Sequence, residues 1–280
     1  MNSTKTFTHT GKTKMFTVII PTYRNPDYLD LCLSSLLTGQ DNINEVIVIV
    51  DGYVSESQHL IDKYQDTPNV RFIEFDDNRG MQMAINLGVY NATNSRLFIV
   101  NDDNVFPLHW DTQLLLVPFD PDTIITANQI EPTGPSAFNF HIQNFGTTVH
   151  NFNYDKFCRF EQKISSSKVT SDGGIFPFVI SKRNFMIVNG FDTLYNSPFI
   201  CDWDFFLKLE LMGCKFVKAH NCHLYHFGSI ATKNRTTETD DSVAFTRGEM
   251  EAHRTFEYKW GFRPQMNKNN SHLPRNFDGF

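Results

Sequence analysis

Four short runs rich in β-branched and aromatic residues, at 16–20, 45–50, 70–75 and 97–100, each stop at a polar loop, and each of the three segments between them reads as a helix. Few folds accommodate that alternation. The runs are too short for helices and read as buried strands. Between the first two, Tyr28, Leu29, Cys32, Leu33, Leu36 and Leu37 recur at helical spacing up to Gly39, with Asn25 able to cap and Pro26 at the first helical position. A polar helix is expected at about 55–65, and a third helix starts near Gly80. The pattern predicts an α/β chain with a Rossmann-like, doubly wound, mostly parallel sheet. Right-handed crossovers then bring the carboxyl ends of these strands to one edge.

What lies at that edge is the second constraint, because open α/β sheets bind ligands there. Thr22, Asp51, residues 77–80 and the pair Asp102 and Asp103 converge on it although they are far apart in sequence. The stretch Asn101-Asp102-Asp103-Asn104 offers hard oxygen donors suited to Mg²⁺ or Mn²⁺, and such an ion suits a phosphorylated substrate. A loop whose Asp or Asn caps the next helix uses the same residue types, so both readings stand on this stretch alone. In the third connection Gly80 lets the backbone approach a ligand and Ala84 lets the helix lie close to the sheet. Arg79 there would add a cation to a helix amino end, a suitable place for phosphate oxygens; a helix packed through small residues with a solvated arginine fits the same stretch, so both readings stand.

With 280 residues, 40% of them hydrophobic, the chain can bury a substantial core. A net charge of -6 argues against a general nucleic-acid binder. Five irregularly spaced cysteines fit reduced thiols and a cytoplasmic location. His220, Cys222, His223 and His226, with Cys214 nearby, lack the paired spacing of a zinc site. Residues 1–15 read as a disordered leader, neither signal peptide nor membrane span. Residues 129–168 show no clean period, as an insertion covering a site would.

The order of motifs resembles the family 2 glycosyltransferases, the inverting group with the GT-A nucleotide-sugar fold. The resemblance is carried by Pro21-Thr22-Tyr23 after the first strand, Asp51 after the second, and Asn78 to Gly88 as an Asn-x-Gly-x-x-x-Ala-x-Asn-x-Gly helix. Next come Asn101-Asp102-Asp103 as an Asp-x-Asp-type motif with Asn in the first place, then Gly173-Gly174, Gly190-Phe191-Asp192, and Cys201-Asp202-Trp203-Asp204 opening a helix. It covers roughly residues 16–262 and implies one GT-A domain. Its first half, 16–110, binds the donor and its acceptor half, 111–230, binds the acceptor; a helical tail follows at 231–262 and a flexible tail at 263–280.

The resemblance also implies roles. Pro21, Thr22, Tyr23, Asp51, Asn78, Arg79 and Asp102 would contact a nucleotide diphosphate sugar, with a UDP-sugar favoured. Asp103 would hold Mn²⁺ or Mg²⁺, and His226, in a His-x-Gly pattern, is a further candidate ligand beside the reading of a histidine packed at a strand end. Asp202 would take the proton from a glycan or other hydroxyl acceptor. On a helix stepping about 100° per residue, Asp202 shares an arc with Phe205, Phe206, Leu209 and Met212, which leaves Asp204 pointing outward toward an exposed pair with Lys208. A sugar-phosphate nucleotidyltransferase is the alternative enzyme, but it calls for a glycine-rich basic loop, and residues 21–26 contain no glycine. A non-catalytic carbohydrate- or nucleotide-binding relative is the other alternative.

Overall fold

The computed structural model describes residues 15–42, 44–134, 140–195, 197–228 and 241–265. The expected leader and carboxyl-terminal tail lie almost entirely outside them. The first half follows the predicted alternation: β1 (Thr17–Thr22), α1 (Pro26–Gly39), β2 (Glu45–Asp51), α2 (Val54–Tyr64), β3 (Val70–Phe75), α3 (Met81–Asn91) and β4 (Arg96–Ile99). Then come β5 (Asn104–Val105), α4 (Trp110–Leu115), β6 (Thr123–Glu131), β7 (His141–Ile142), α5 (Tyr154–Ile164), β8 (Val169–Thr170), β9 (Phe178–Ser181), α6 (Lys182–Ile187), α7 (Cys201–Leu211), β10 (Lys215–His226) and α8 (Asp241–Trp260).

Among the described residues these strands form one ten-stranded sheet in the order β3-β2-β1-β4-β9-β6-β10-β5, with β7 beside β6 and β8 beside β10. Strands β3, β2, β1 and β4 are parallel neighbours, as are β6 and β10. β9 runs antiparallel between β4 and β6. The strand that follows Gly173-Gly174 is therefore short and reversed. It starts only after Pro177, which has no N–H to give a ladder.

Alternation along β1 and β2 sends side chains to two different cores. Val18, Ile20, Val46, Val48 and Val50 pack with α1, α2 and the buried Trp110 on one face. Ile19, Ile47 and Ile49 pack with α3, α6, α7 and α8 on the other. Both faces are covered, which is why these strands read as continuous apolar runs. On the second face α3 lies close against the sheet at Gly88, where an added Cβ would stand 2.6 Å from Ile19 Cγ2 and 2.7 Å from Ile49 Cδ1. A third, aromatic core of Phe157, Tyr225 and Phe227 lies beneath the insertion, anchored by α5.

β10 is irregular. It pairs with β6 in simple register up to Ala219 opposite Ala127, and then resumes with His223 opposite Asn128, so residues 220–222 bulge from that ladder. Beyond the bulge it also takes β5 as an antiparallel neighbour, with His226 opposite Asn104.

Candidate active site

The carboxyl ends of β1, β2, β4, β6 and β10 and the amino end of the reversed β9 border one cavity of about 460 Å³, a size suited to a small organic ligand. Pro21, Thr22, Tyr23, Asp51, Asn78, Asp102, Asp103, Asp202 and His226 all line it. Arg79 does not. Its side chain is exposed, and its part in the site is played by its backbone.

That part is to anchor the loop before α3. The Asp51 carboxylate accepts hydrogen bonds from the N–H of Arg79 at 2.6 Å and of Gly80 at 2.9 Å. Gly80 adopts φ 90° and ψ 151°, a conformation essentially reserved for glycine. The carboxyl end of β2 and the amino end of α3 are thus tied together at the cavity wall.

Asp102 is tied to the first strand and helix. Its Oδ2 accepts from Thr22 Oγ1 at 2.7 Å and its Oδ1 from Asn25 Nδ2 at 3.1 Å. Asn25 stands at the cap position of α1 as expected, but its side chain makes no capping bond. The buried carboxylate of Asp102 takes it instead. Burial, with the neighbouring Asp103 adding to it, pushes the Asp102 pKa up to about 7.

Asp103 and His226 meet because of the pairing of β5 with β10. Asn104 lies opposite His226 in that pair, and Asp103 Oδ1 stands 3.5 Å from His226 Nε2. The other imidazole nitrogen, Nδ1, is 3.0 Å from Glu131 Oε1 at the end of β6. A carboxylate oxygen and an imidazole nitrogen this close can share one divalent ion, and the set suits Mn²⁺ better than Mg²⁺. Among the described residues no group of three His, Cys, Asp or Glu side chains is arranged to hold a metal, so the remaining ligands of such an ion would be substrate oxygens and water. His220 and His223 are engaged elsewhere, with Thr170 and Asn128 and with Glu161, and all five cysteines are buried free thiols.

The helical-wheel expectation for α7 fails for one residue. Asp202 faces the cavity as expected, half-buried at the start of the helix, and burial pushes its pKa up to about 6. Asp204, expected outside, has no exposed surface. Its Oδ1 is 2.7 Å from Lys259 Nζ and 2.8 Å from Trp260 Nε1, and it also accepts from the Tyr195 hydroxyl at 3.2 Å. The expected partner Lys208 lies farther off, at 3.7 Å. The physical reason is α8: it covers the arc of α7 that a one-sided wheel leaves to solvent, so α7 has two buried faces.

Glu131 and Gln82 also line the cavity and were not singled out from the sequence. Gln82 donates from Nε2 to the Ser197 carbonyl at 2.6 Å, which links α3 to the loop before α7. The available signal for Glu131 is weaker, an acid just before Pro132-Thr133-Gly134 at the end of a mixed run in which Thr126, Asn128 and Gln129 interrupt the apolar residues.

A family model described as Glycosyl transferase family 2 matches residues 17–184. The chain belongs to glycosyltransferase family 2. This family 2 chain is 30% identical over 120 residues to the uncharacterized glycosyltransferase YibD of Escherichia coli (strain K12), a match covering 42% of this chain and 35% of that one. It is 25% identical over 240 residues to an uncharacterized glycosyltransferase of Haemophilus influenzae, covering 83% and 76% of the two chains. The match to a second H. influenzae glycosyltransferase takes in only about half of that protein, 47% of its length. A crystal structure of GalNAc-T7 with UDP, GalNAc and Mn²⁺ is similar with a TM-score of 0.59 at 12% identity, covering 76% of this chain and 44% of that one. A structure of the mannosyltransferase PcManGT from Pyrobaculum calidifontis in complex with GDP-Man and Mn²⁺ is similar with a TM-score of 0.55 at 15% identity, covering 85% and 64%. The likeness to these structures is one of fold, and the fold is GT-A. Among the described residues no helix is long and apolar enough to cross a membrane.

Proposed function

We propose that this family 2 chain transfers a sugar from a nucleotide diphosphate donor to a hydroxyl acceptor, with inversion at the anomeric carbon. The observation that carries the reading is the single cavity that Asp103 and His226 line together with Asp202. The fold neighbours crystallised with a nucleotide or nucleotide sugar and Mn²⁺ support the same donor class.

The roles proposed for this chain's residues are those the family resemblance implies, placed on the cavity. Tyr23, Asp51 and Asn78, on one side of the cavity, would receive the nucleotide. Asp103 and His226 would hold a divalent ion, which when bound supplies a Lewis acid for the diphosphate leaving group. Asp202 would take the proton from the acceptor hydroxyl as that oxygen bonds to the anomeric carbon and the bond to the diphosphate breaks. A carboxylate with a pKa near 6 is ionised at neutral pH and still a better base than an ordinary one. Asp102, bound to Thr22 and Asn25, keeps the β1 loop and the β4 end in fixed relation.

The test is a melting-temperature screen of nucleotide diphosphate sugars with and without Mn²⁺, followed by a transfer assay on simple sugar acceptors with the stabilising donor. A ligand at a thousand times its dissociation constant adds about 4 kcal/mol of stability. If no donor of this class shifts the melting temperature with Mn²⁺ present, the reading is wrong.

A further inference from the structure

We infer that Glu131 is a positioning residue: it holds the His226 imidazole with Nδ1 protonated, so that the lone pair of Nε2 faces Asp103 and the cation site. The inference rests on the proposed reading of Asp103 and His226 as the metal-holding pair, and adds a residue to which neither the sequence motifs nor the family resemblance assigns a role.

Two strand registers and one backbone hydrogen bond carry it. β6 and β10 are parallel, with Ile130 opposite Tyr225, so the next step along both strands sets Glu131 beside His226 on the same face of the sheet. β10 and β5 are antiparallel with His226 opposite Asn104, which brings Asp103 to the other side of the ring. The Phe227 N–H donates to the Asp103 carbonyl at 3.3 Å, so the segment after His226 is also held to Asp103 by its backbone. The imidazole therefore lies between two carboxylates, with Glu131 Oε1 3.0 Å from Nδ1 and Asp103 Oδ1 3.5 Å from Nε2.

A neutral imidazole has one N–H and one lone pair, and a metal takes only the lone pair. A carboxylate can only accept, so the bond to Glu131 places the proton on Nδ1 and leaves Nε2 as the coordinating nitrogen. Carboxylates of this kind fix the tautomer and the ring orientation of a metal-binding histidine, and their loss typically weakens metal affinity about 10- to 100-fold. Glu131 lines the cavity, with about a fifth of its side chain exposed (21%), so a substitution there can be made without opening a core.

The experiment measures Mn²⁺ binding to the full chain by the loss of the free-ion EPR signal, in wild type, Glu131→Ala, Glu131→Gln, His226→Ala, Asp103→Ala and the double variant Glu131→Ala/His226→Ala. Melting temperatures establish that each variant is folded. Glu131→Ala is expected to lose about tenfold or more in Mn²⁺ affinity, and Glu131→Gln, whose amide oxygen still accepts from Nδ1–H, to keep most of it. In the His226→Ala background, removing Glu131 is expected to change affinity by less than about twofold, because its effect passes through the ring.

Equal losses in Glu131→Ala and Glu131→Gln, or an undiminished loss without His226, would show a direct or purely electrostatic role and overturn the inference. Asp103→Ala separates the two levels. If it binds Mn²⁺ like wild type, the site reading and the inference fall together; if it loses Mn²⁺ while Glu131→Ala keeps it, the inference alone falls. Side-chain ¹⁵N shifts of His226 give a readout that needs no metal, with the Nδ1–H tautomer expected in wild type and lost in Glu131→Ala. An Nε2–H tautomer in wild type overturns the inference.

Discussion

Asp204 Oδ1 lies 2.7 Å from Lys259 Nζ, and through that contact the helix that presents Asp202 is fastened to the last described helix. Burial works against the Lys259 charge, but Asp192 and Asp204 outweigh it and hold its pKa above the usual value. Asp204→Ala would leave the half-buried Lys259 with Asp192 as its remaining carboxylate and would take the acceptor from the Tyr195 hydroxyl and the Trp260 N–H. The expected cost is about 2–4 kcal/mol, the scale of stranding two such donors. Chemical denaturation of Asp204→Ala and of Lys259→Met measures it, and a change below about 1 kcal/mol in both would mean that α8 does not support α7 through this pair.

Asp202 should behave in the opposite way, although it is only two residues away. Asp202→Asn is expected to keep donor binding and lose turnover by about a hundredfold or more, the scale of a lost general base. Wild-type turnover should rise with pH up to about 6 and then level off, since the base must be ionised. Stability has the reverse sign. The folded carboxyl group holds its proton more tightly than an unfolded one, so its contribution is full below about pH 4 and is lost as pH rises through about 6. At pH 7 Asp202→Asn should therefore melt no lower than wild type; a large drop in melting temperature would make Asp202 a structural residue.

Removing the cation site should uncouple metal from nucleotide. In Asp103→Ala, Mn²⁺ should no longer tighten binding of a nucleoside diphosphate, while the fold is kept. Calorimetric titration of the nucleotide with and without Mn²⁺ tests this, and metal dependence that survives in a folded variant would reject Asp103 as the ligand.

Gly88 offers a test of the sheet packing that does not involve the site chemistry. A methyl group there would meet Ile19 and Ile49 well inside van der Waals contact. Gly88→Ala should cost about 1–3 kcal/mol by overpacking, despite the better helix propensity of alanine. A stabilised variant in urea unfolding would show that α3 can move away from the sheet freely.

The part of the cavity wall built by the first half was legible in the sequence because its information is local. The strands of the first half announce themselves as short β-branched and aromatic runs, and β1, β2 and β4 lead into a polar residue that reaches the cavity. Thr22, Asp51 and Asp102 are all found there. The reversed β9, the partner of His226 and the burial of Asp204 were not legible, because each depends on a segment distant in sequence. Glu131 and His226 are 95 positions apart, and Asp204 and Trp260 are 56 apart. The helical tail expected over 231–262 contains α8, but nothing in its own pattern says which arc of α7 it covers.

The bulge in β10 decides which histidine reaches the cavity. His220, His223 and His226 recur at intervals of three, the same length as the segment that leaves the ladder. If those three residues were drawn into simple pairing with β6, His223 would slide into the place beside Glu131, and a histidine would still stand there. A slide by an odd number of residues, however, turns every following side chain over. Leu224, which now belongs to the core beneath α1, and Tyr225, which belongs to the aromatic core under α5, would exchange faces. The choice among three chemically equivalent rings is thus made by a leucine and a tyrosine that do not line the cavity, and it is enforced by oil rather than by coordination.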